Sequence, residues 1–123
     1  MNKKILIIED DKSMRFLEKK LLESNGYEVI EACDAKEGNK MAIDEQPDLI
    51  LMDIRLPSKK RGIGAARIIR NQKETSHIPI LFVTAYSKGE QTKEVQNIPN
   101  CGYITKPFDN SQFLNSIKEL IKE

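Results

Sequence analysis

The feature that most constrains the fold is an alternation. Short apolar runs at Ile5 to Ile8, Leu49 to Met52 and Ile78 to Val83 are separated by stretches whose apolar residues recur at helical spacing. Each run is too short for an isolated helix and rich in Ile, Leu or Val, as a strand covered on both faces requires. Tyr27 to Ile30, with Glu28 between Tyr27 and Val29, alternates like a half-exposed edge strand, and Tyr103 to Thr105 reads as a second edge.

Between the runs, Met14, Leu17, Leu21 and Leu22 recur at i, i+3, i+7 and i+8, and Phe113, Ile117, Leu120 and Ile121 repeat the pattern near the end. Weaker stripes lie at Ala35, Gly38 and Ala42, ended by Pro47, and at Ala65, Ile68 and Ile69; Lys88 to Gln96 is a polar, marginal helix. Asp109 to Ser111 supplies an N-cap for the last helix, and Gly26 is placed to close the first. Five strands alternating with five helices predict an α/β, doubly wound parallel sheet, because parallel neighbours need right-handed crossovers that cover both faces. The 123 residues suit one core, and no linker, repeat or composition break divides them, so a single domain spanning 1–123 without an attached output domain is expected.

Composition narrows the function. Twenty Lys plus Arg against nineteen Asp plus Glu leave a formal charge of +1, without the long-range positive field of a dedicated nucleic-acid binder. No apolar run approaches the roughly 20 residues that span a bilayer or the core of a signal peptide. A soluble, cytoplasmic protein with neither a membrane nor a nucleic-acid partner is expected. Cys33 and Cys101 lie outside any C-x-x-C spacing, which argues for idle thiols in a reducing compartment over a zinc site or disulfide scaffold.

In a doubly wound sheet the site lies beyond the carboxyl ends of the strands. The first strand ends in Glu9-Asp10-Asp11, the third in Asp53, the fourth in Thr84-Ala85 and the fifth in Thr105-Lys106-Pro107. If the first and third strands are neighbours, about 4.8 Å apart, Glu9, Asp10 and Asp53 approach closely. Their repulsion, roughly 4 kcal/mol per pair at an effective dielectric near 20, calls for protons or a cation. Mg²⁺, which takes one or two carboxylates, waters and phosphate oxygens, suits that inventory. One carboxylate can then act as nucleophile toward a phosphoryl donor while Lys106 and Thr84 meet the transferred oxygens. Taken singly, Glu9-Asp10-Asp11 is more often a helix N-cap than a metal site; the ordered set of four strand ends is what favours a site.

That set resembles the receiver domains of two-component response regulators, of the stand-alone chemotaxis type, over essentially the whole chain. Ile5 to Asp11 is similar to the family's opening strand and acidic pair. Leu49 to Pro57 is similar to its phosphoacceptor strand and loop, and Val83-Thr84-Ala85 and Lys106-Pro107-Phe108 to its remaining signatures. The resemblance implies a flavodoxin-like strand order of 2-1-3-4-5 and phosphorylation of Asp53 by a sensor histidine kinase or phosphotransfer protein. It implies a Mg²⁺ site with Asp10 as direct ligand, Glu9 acting through water, Asp53, and the main-chain carbonyl of Arg55. Thr84 and Lys106 would hold the phosphoryl oxygens, and Tyr103 would be the aromatic that moves inward afterwards. The changed surface, about Lys88 to Gln96 and Tyr103 to Lys122, would control a downstream protein partner, with the chain a monomer or a weak phosphorylation-dependent dimer. The family also places a cis bond at the equivalent of Lys106-Pro107.

Two segments depart from the family pattern. Pro57 is followed by Ser58-Lys59-Lys60-Arg61 before Gly62, one residue longer than usual and basic, and Pro99-Asn100 replaces a small Gly-Ala pair before Cys101. The basic run reads as a solvated face. The Pro-Asn pair predicts an early end to the preceding helix. Gly62-Ile63-Gly64 lacks the third glycine of a dinucleotide loop, and His77 has no partner acids. Two other functions remain on this fold. A flavodoxin-like cofactor binder would need a phosphate cradle where Glu9-Asp10-Asp11 stands. An Asp-nucleophile phosphatase of the D-x-D type would need an acid where Arg55 stands.

Overall fold

The computed structural model describes residues 2–54, 59–84 and 97–122, apart from the side chains of Ile54, Lys59, Lys60 and Arg61. In chain order the elements are β1 (Lys4–Ile8), α1 (Lys12–Glu23), β2 (Glu28–Ala32), α2 (Ala35–Glu45), β3 (Leu49–Ile54), α3 (Lys59–Arg70), β4 (Ile80–Thr84), β5 (Cys101–Thr105) and α4 (Asn110–Ile121). The five strands form one sheet in the order β2-β1-β3-β4-β5, every pair parallel. This is the doubly wound, flavodoxin-like arrangement read from the sequence. The expected helix at Lys88 to Gln96 lies outside the described residues, which hold four helices.

Strand periodicity divides the core in two. Leu6, Ile8, Ile50, Met52, Ile80 and Phe82 face α2 and α3, while Ile5, Ile7, Leu49, Leu51, Leu81 and Val83 face α1 and α4. Because both faces are covered, these strands are apolar at nearly every position, and that is why they could be read directly.

Side-chain and main-chain caps bound the helices, the last of them at the Asp109 stretch that the sequence indicated. Asp109 and Gln112 form a capping box, each side chain accepting from the other's main-chain N–H at 2.8 and 2.9 Å. Asp34 caps α2 through Glu37 N–H, and left-handed Gln46 closes it just before Pro47. Gly26, at φ 89°, turns the chain two residues after the α1 cap at Ser24.

Several expectations need correction. On α1, Leu17 is 62 % exposed, and Glu18 points inward beside Leu22. On α3, Ile68 is exposed, and Ile63, Ala65, Ala66 and Ile69 form the buried stripe. The helix begins at Lys59, so the basic run forms its first turn. β2 starts after Tyr27, whose ring is buried under α1, and β4 starts at Ile80.

Candidate functional site

Registry places the site. Ile8 of β1 lies opposite Ala32 of β2 and Met52 of β3, so the residues that follow these three share one rim, with Asp53 still inside β3. The Glu9 N–H donates to Ala32 O at 3.1 Å, extending the β1–β2 ladder by one step. Asp53, one residue past Met52, is thereby brought beside Glu9.

A cleft of about 120 Å³ opens there, lined among others by Glu9, Asp10, Cys33, Asp34, Asp53 and Gly62. Glu9 is buried, Asp10 is exposed, and the Asp53 side chain is only 3 % exposed. The Asp11 N–H donates to Glu9 Oε2 at 3.0 Å. The acidic triplet divides its labour, since Asp11 accepts from Met14 N–H at 3.0 Å and caps α1 while Glu9 and Asp10 face the cleft. The cap reading of the triplet thus holds for Asp11.

Burial, followed by a hydrogen bond to and repulsion from Asp53, pushes the Glu9 carboxyl up to about 9, against the opposing pull of the Asp11 N–H. Lys106 Nζ stands 3.3 Å from Asp53 Oδ2, its side chain 30 % exposed. Lys106 is held by its own N–H, which donates to Thr84 O at 2.8 Å, and its bond to Pro107 is cis. Thr84 ends β4, buried, opposite Ile54 and Thr105. Tyr103 stands opposite Phe82 on β5, 36 % exposed.

The structure thus gathers Glu9, Asp10, Asp53 and Lys106 on one rim, with Thr84 at the adjoining strand end. Arg55 lies outside the described residues, as do Lys88 to Gln96. Sequence reasoning missed Cys33 and Asp34 as cleft-lining residues. Their signal was available: if β2 neighbours β1, the end of β2 belongs to the same rim. Cys33 is a free, exposed thiol. Cys101 is half-buried, its thiol pushed up by burial against the opposing influence of Arg70.

Among the described residues no group of three or more His, Cys, Asp or Glu side chains forms a ready metal cage. The carboxylate oxygens suit a hard cation that needs only one or two acidic side chains and takes its other ligands from water, main chain or substrate. No described helix is long and apolar enough to cross a membrane.

Comparison with known proteins agrees with this geometry. Residues 5–118 match the family model of the response regulator receiver domain. The chain is 35 % identical over 123 residues to the polar-differentiation response regulator DivK of Brucella ovis, covering 98 % of each. Among solved structures, chemotaxis protein CheY4 of Vibrio cholerae superposes with a TM-score of 0.88 at 27 % identity, over 98 % of this chain and 99 % of that one. The receiver domain of sensor histidine kinase PA1611 of Pseudomonas aeruginosa, described with a magnesium ion coordinated in its active site cleft, superposes with a TM-score of 0.87 at 28 % identity over the whole of both chains. The match to the family model over most of the chain, with the sheet order and the acidic rim, places this protein in the response regulator receiver domain family.

Proposed function

We propose that the chain is a single-domain cytoplasmic response regulator in which Asp53 accepts a phosphoryl group from the phosphohistidine of a sensor kinase or phosphotransfer protein. The observation that carries the reading is the buried Asp53 carboxylate beside Glu9 in the cleft, with the Lys106 ammonium at 3.3 Å. An ionised Asp53 oxygen forms the new O–P bond as the P–N bond to the donor imidazole breaks, the electron pair leaving with the imidazole nitrogen. Lys106 neutralises charge on the acceptor, and the Thr84 hydroxyl donates to a transferred oxygen.

The carboxylates of Glu9, Asp10 and Asp53 and the main-chain carbonyl of Arg55 would hold Mg²⁺, which supplies positive charge for the transferring phosphoryl group. The donor set fits, being all oxygen, with Glu9, Asp10 and Asp53 lining one cleft. The product is an acyl phosphate on the protein itself, so the chain is a signalling acceptor with at most slow self-hydrolysis. The added roughly 1.5 to 2 negative charges draw Thr84 toward the phosphoryl group and let Tyr103 move inward. The surface formed by Lys88 to Gln96 and Tyr103 to Lys122 then meets a protein target, as a monomer or a weak phosphorylation-dependent dimer. A phosphate-cradling cofactor binder is disfavoured by the carboxylates that fill the β1–α1 turn.

Incubation with Mg²⁺ and acetyl phosphate, followed by intact mass, tests the reading. One added phosphoryl group is expected on the wild type and none on Asp53→Asn. A wild type without the adduct, or an adduct that persists in Asp53→Asn, overturns it.

A further inference from the structure

The turn that carries Glu9 and Asp10 is fastened from the side away from the cleft, and one side chain does much of it. Arg15, on the second turn of α1, donates from Nη1 to the main-chain carbonyl of Glu9 at 2.8 Å. Its Nε lies 3.5 Å from Glu31 Oε1 on β2, and Lys19 Nζ lies 3.4 Å from the other oxygen of the same carboxylate. The Arg15 side chain is only 19 % exposed. The peptide groups on either side of Glu9 are thus both engaged: its N–H by Ala32 O of β2, and its C=O by Arg15.

We infer that Arg15 is a positioning residue for the cation-ligand pair Glu9 and Asp10, locking their turn to β2 through Glu31. The inference rests on the reading that Glu9 and Asp10 hold a divalent cation. Arg15 acts through the Glu9 carbonyl and is not among the cleft-lining residues. A guanidinium suits this task because its rigid fork can meet a carbonyl and a carboxylate at once, whereas an ammonium is a single point of charge. Groups that orient metal ligands from outside the coordination shell commonly carry about 10- to 100-fold of metal affinity.

The sign of the effect makes the inference sharp. Arg15 is a cation close to a site that takes a cation, so by Coulomb's law alone its removal tightens binding. Positioning demands the opposite.

Calorimetric titration of the full chain with MgCl₂ decides between them, using wild type, Arg15→Met and Arg15→Lys, with thermal unfolding in EDTA run alongside. Arg15→Met is expected to weaken Mg²⁺ binding by roughly tenfold. Arg15→Lys, which keeps the charge and loses the fork, is expected to weaken it to a similar degree while melting within a few degrees of wild type. Wild-type or tighter affinity in both variants overturns the inference, as does a lowered melting temperature with unchanged affinity, the mark of a purely structural residue. A wild type that binds no Mg²⁺ is a different failure: it removes the cation reading of the site, and the role of Arg15 with it.

Discussion

The Lys106 ammonium lies 3.3 Å from the Asp53 carboxylate, joining a side chain that is 3 % exposed to one that is 30 % exposed. Removing one partner of a fully buried pair costs about 3–5 kcal/mol, and exposed pairs contribute about 0–1. This pair falls between, because Lys106 stays in partial contact with water while Asp53 does not. Lys106→Met should therefore destabilise the protein by about 1–2 kcal/mol in urea unfolding near neutral pH. In a double-mutant cycle with Asp53→Asn, most of that loss should vanish, since the side chain left without the ammonium is then an uncharged amide. Equal losses in the presence and absence of the Asp53 charge would assign the cost to packing of the Lys106 stem.

Glu9 makes stability depend on pH in a direction opposite to that of a salt-bridged acid. Its carboxyl titrates at about 9 in the fold, against an ordinary 4.5. Between those values the folded chain holds a proton that the unfolded chain has released, so stability falls as pH rises through the window. In EDTA, urea unfolding should show wild-type stability declining from about pH 5 to about pH 9 relative to Glu9→Gln, which cannot titrate there. Parallel curves for the two proteins would mean that Glu9 is already ionised in the folded state.

The two faces of α1 show where sequence was legible and where it was not. β1, β3 and β4 could be read because a strand covered on both sides has almost no polar position to confuse the pattern, and the rim ends of β1 and β3 stood out because charge begins there abruptly at Glu9 and Asp53. On α1, Leu21 and Leu22 of the apolar stripe do meet the core, but Leu17 is exposed and Glu18 is buried in its stead, and an acid in the true stripe argued against it. The rim residues Cys33 and Asp34 were obscure for another reason: they matter only through the pairing of β2 with β1, which no local pattern encodes. The assignment of faces is directly measurable. Leu17→Gln should change stability by no more than about 0.5 kcal/mol, and Leu22→Ala should cost about 2–5 kcal/mol. A costly Leu17→Gln would restore the face that periodicity alone suggests.

Two helical glycines should respond to alanine with opposite signs. A Cβ on Gly38 of α2 would stand 2.7 Å from Ile8 Cγ1, closer than real side chains approach. Gly38 thus lets α2 lie directly on the last residue of β1, immediately before Glu9. Alanine gains up to about 1 kcal/mol in helix propensity, but overpacking of a well-filled core costs about 1–3 kcal/mol. Gly38→Ala should therefore be destabilising, and Ile8→Val in the same chain should recover part of the loss by removing the outermost methyl. On α3, a Cβ on Gly64 meets nothing within 4 Å, so propensity acts unopposed and Gly64→Ala should add about 0.5–1 kcal/mol. Urea midpoints for the two single variants test the contrast. Because Ile8 is bonded to Glu9, Gly38→Ala should also disturb the acidic turn and lower the yield of phosphorylated Asp53, whereas Gly64→Ala should leave that yield unchanged. Stabilisation by both substitutions would mean that Ile8 yields freely, and that α2 does not hold the end of β1 in place.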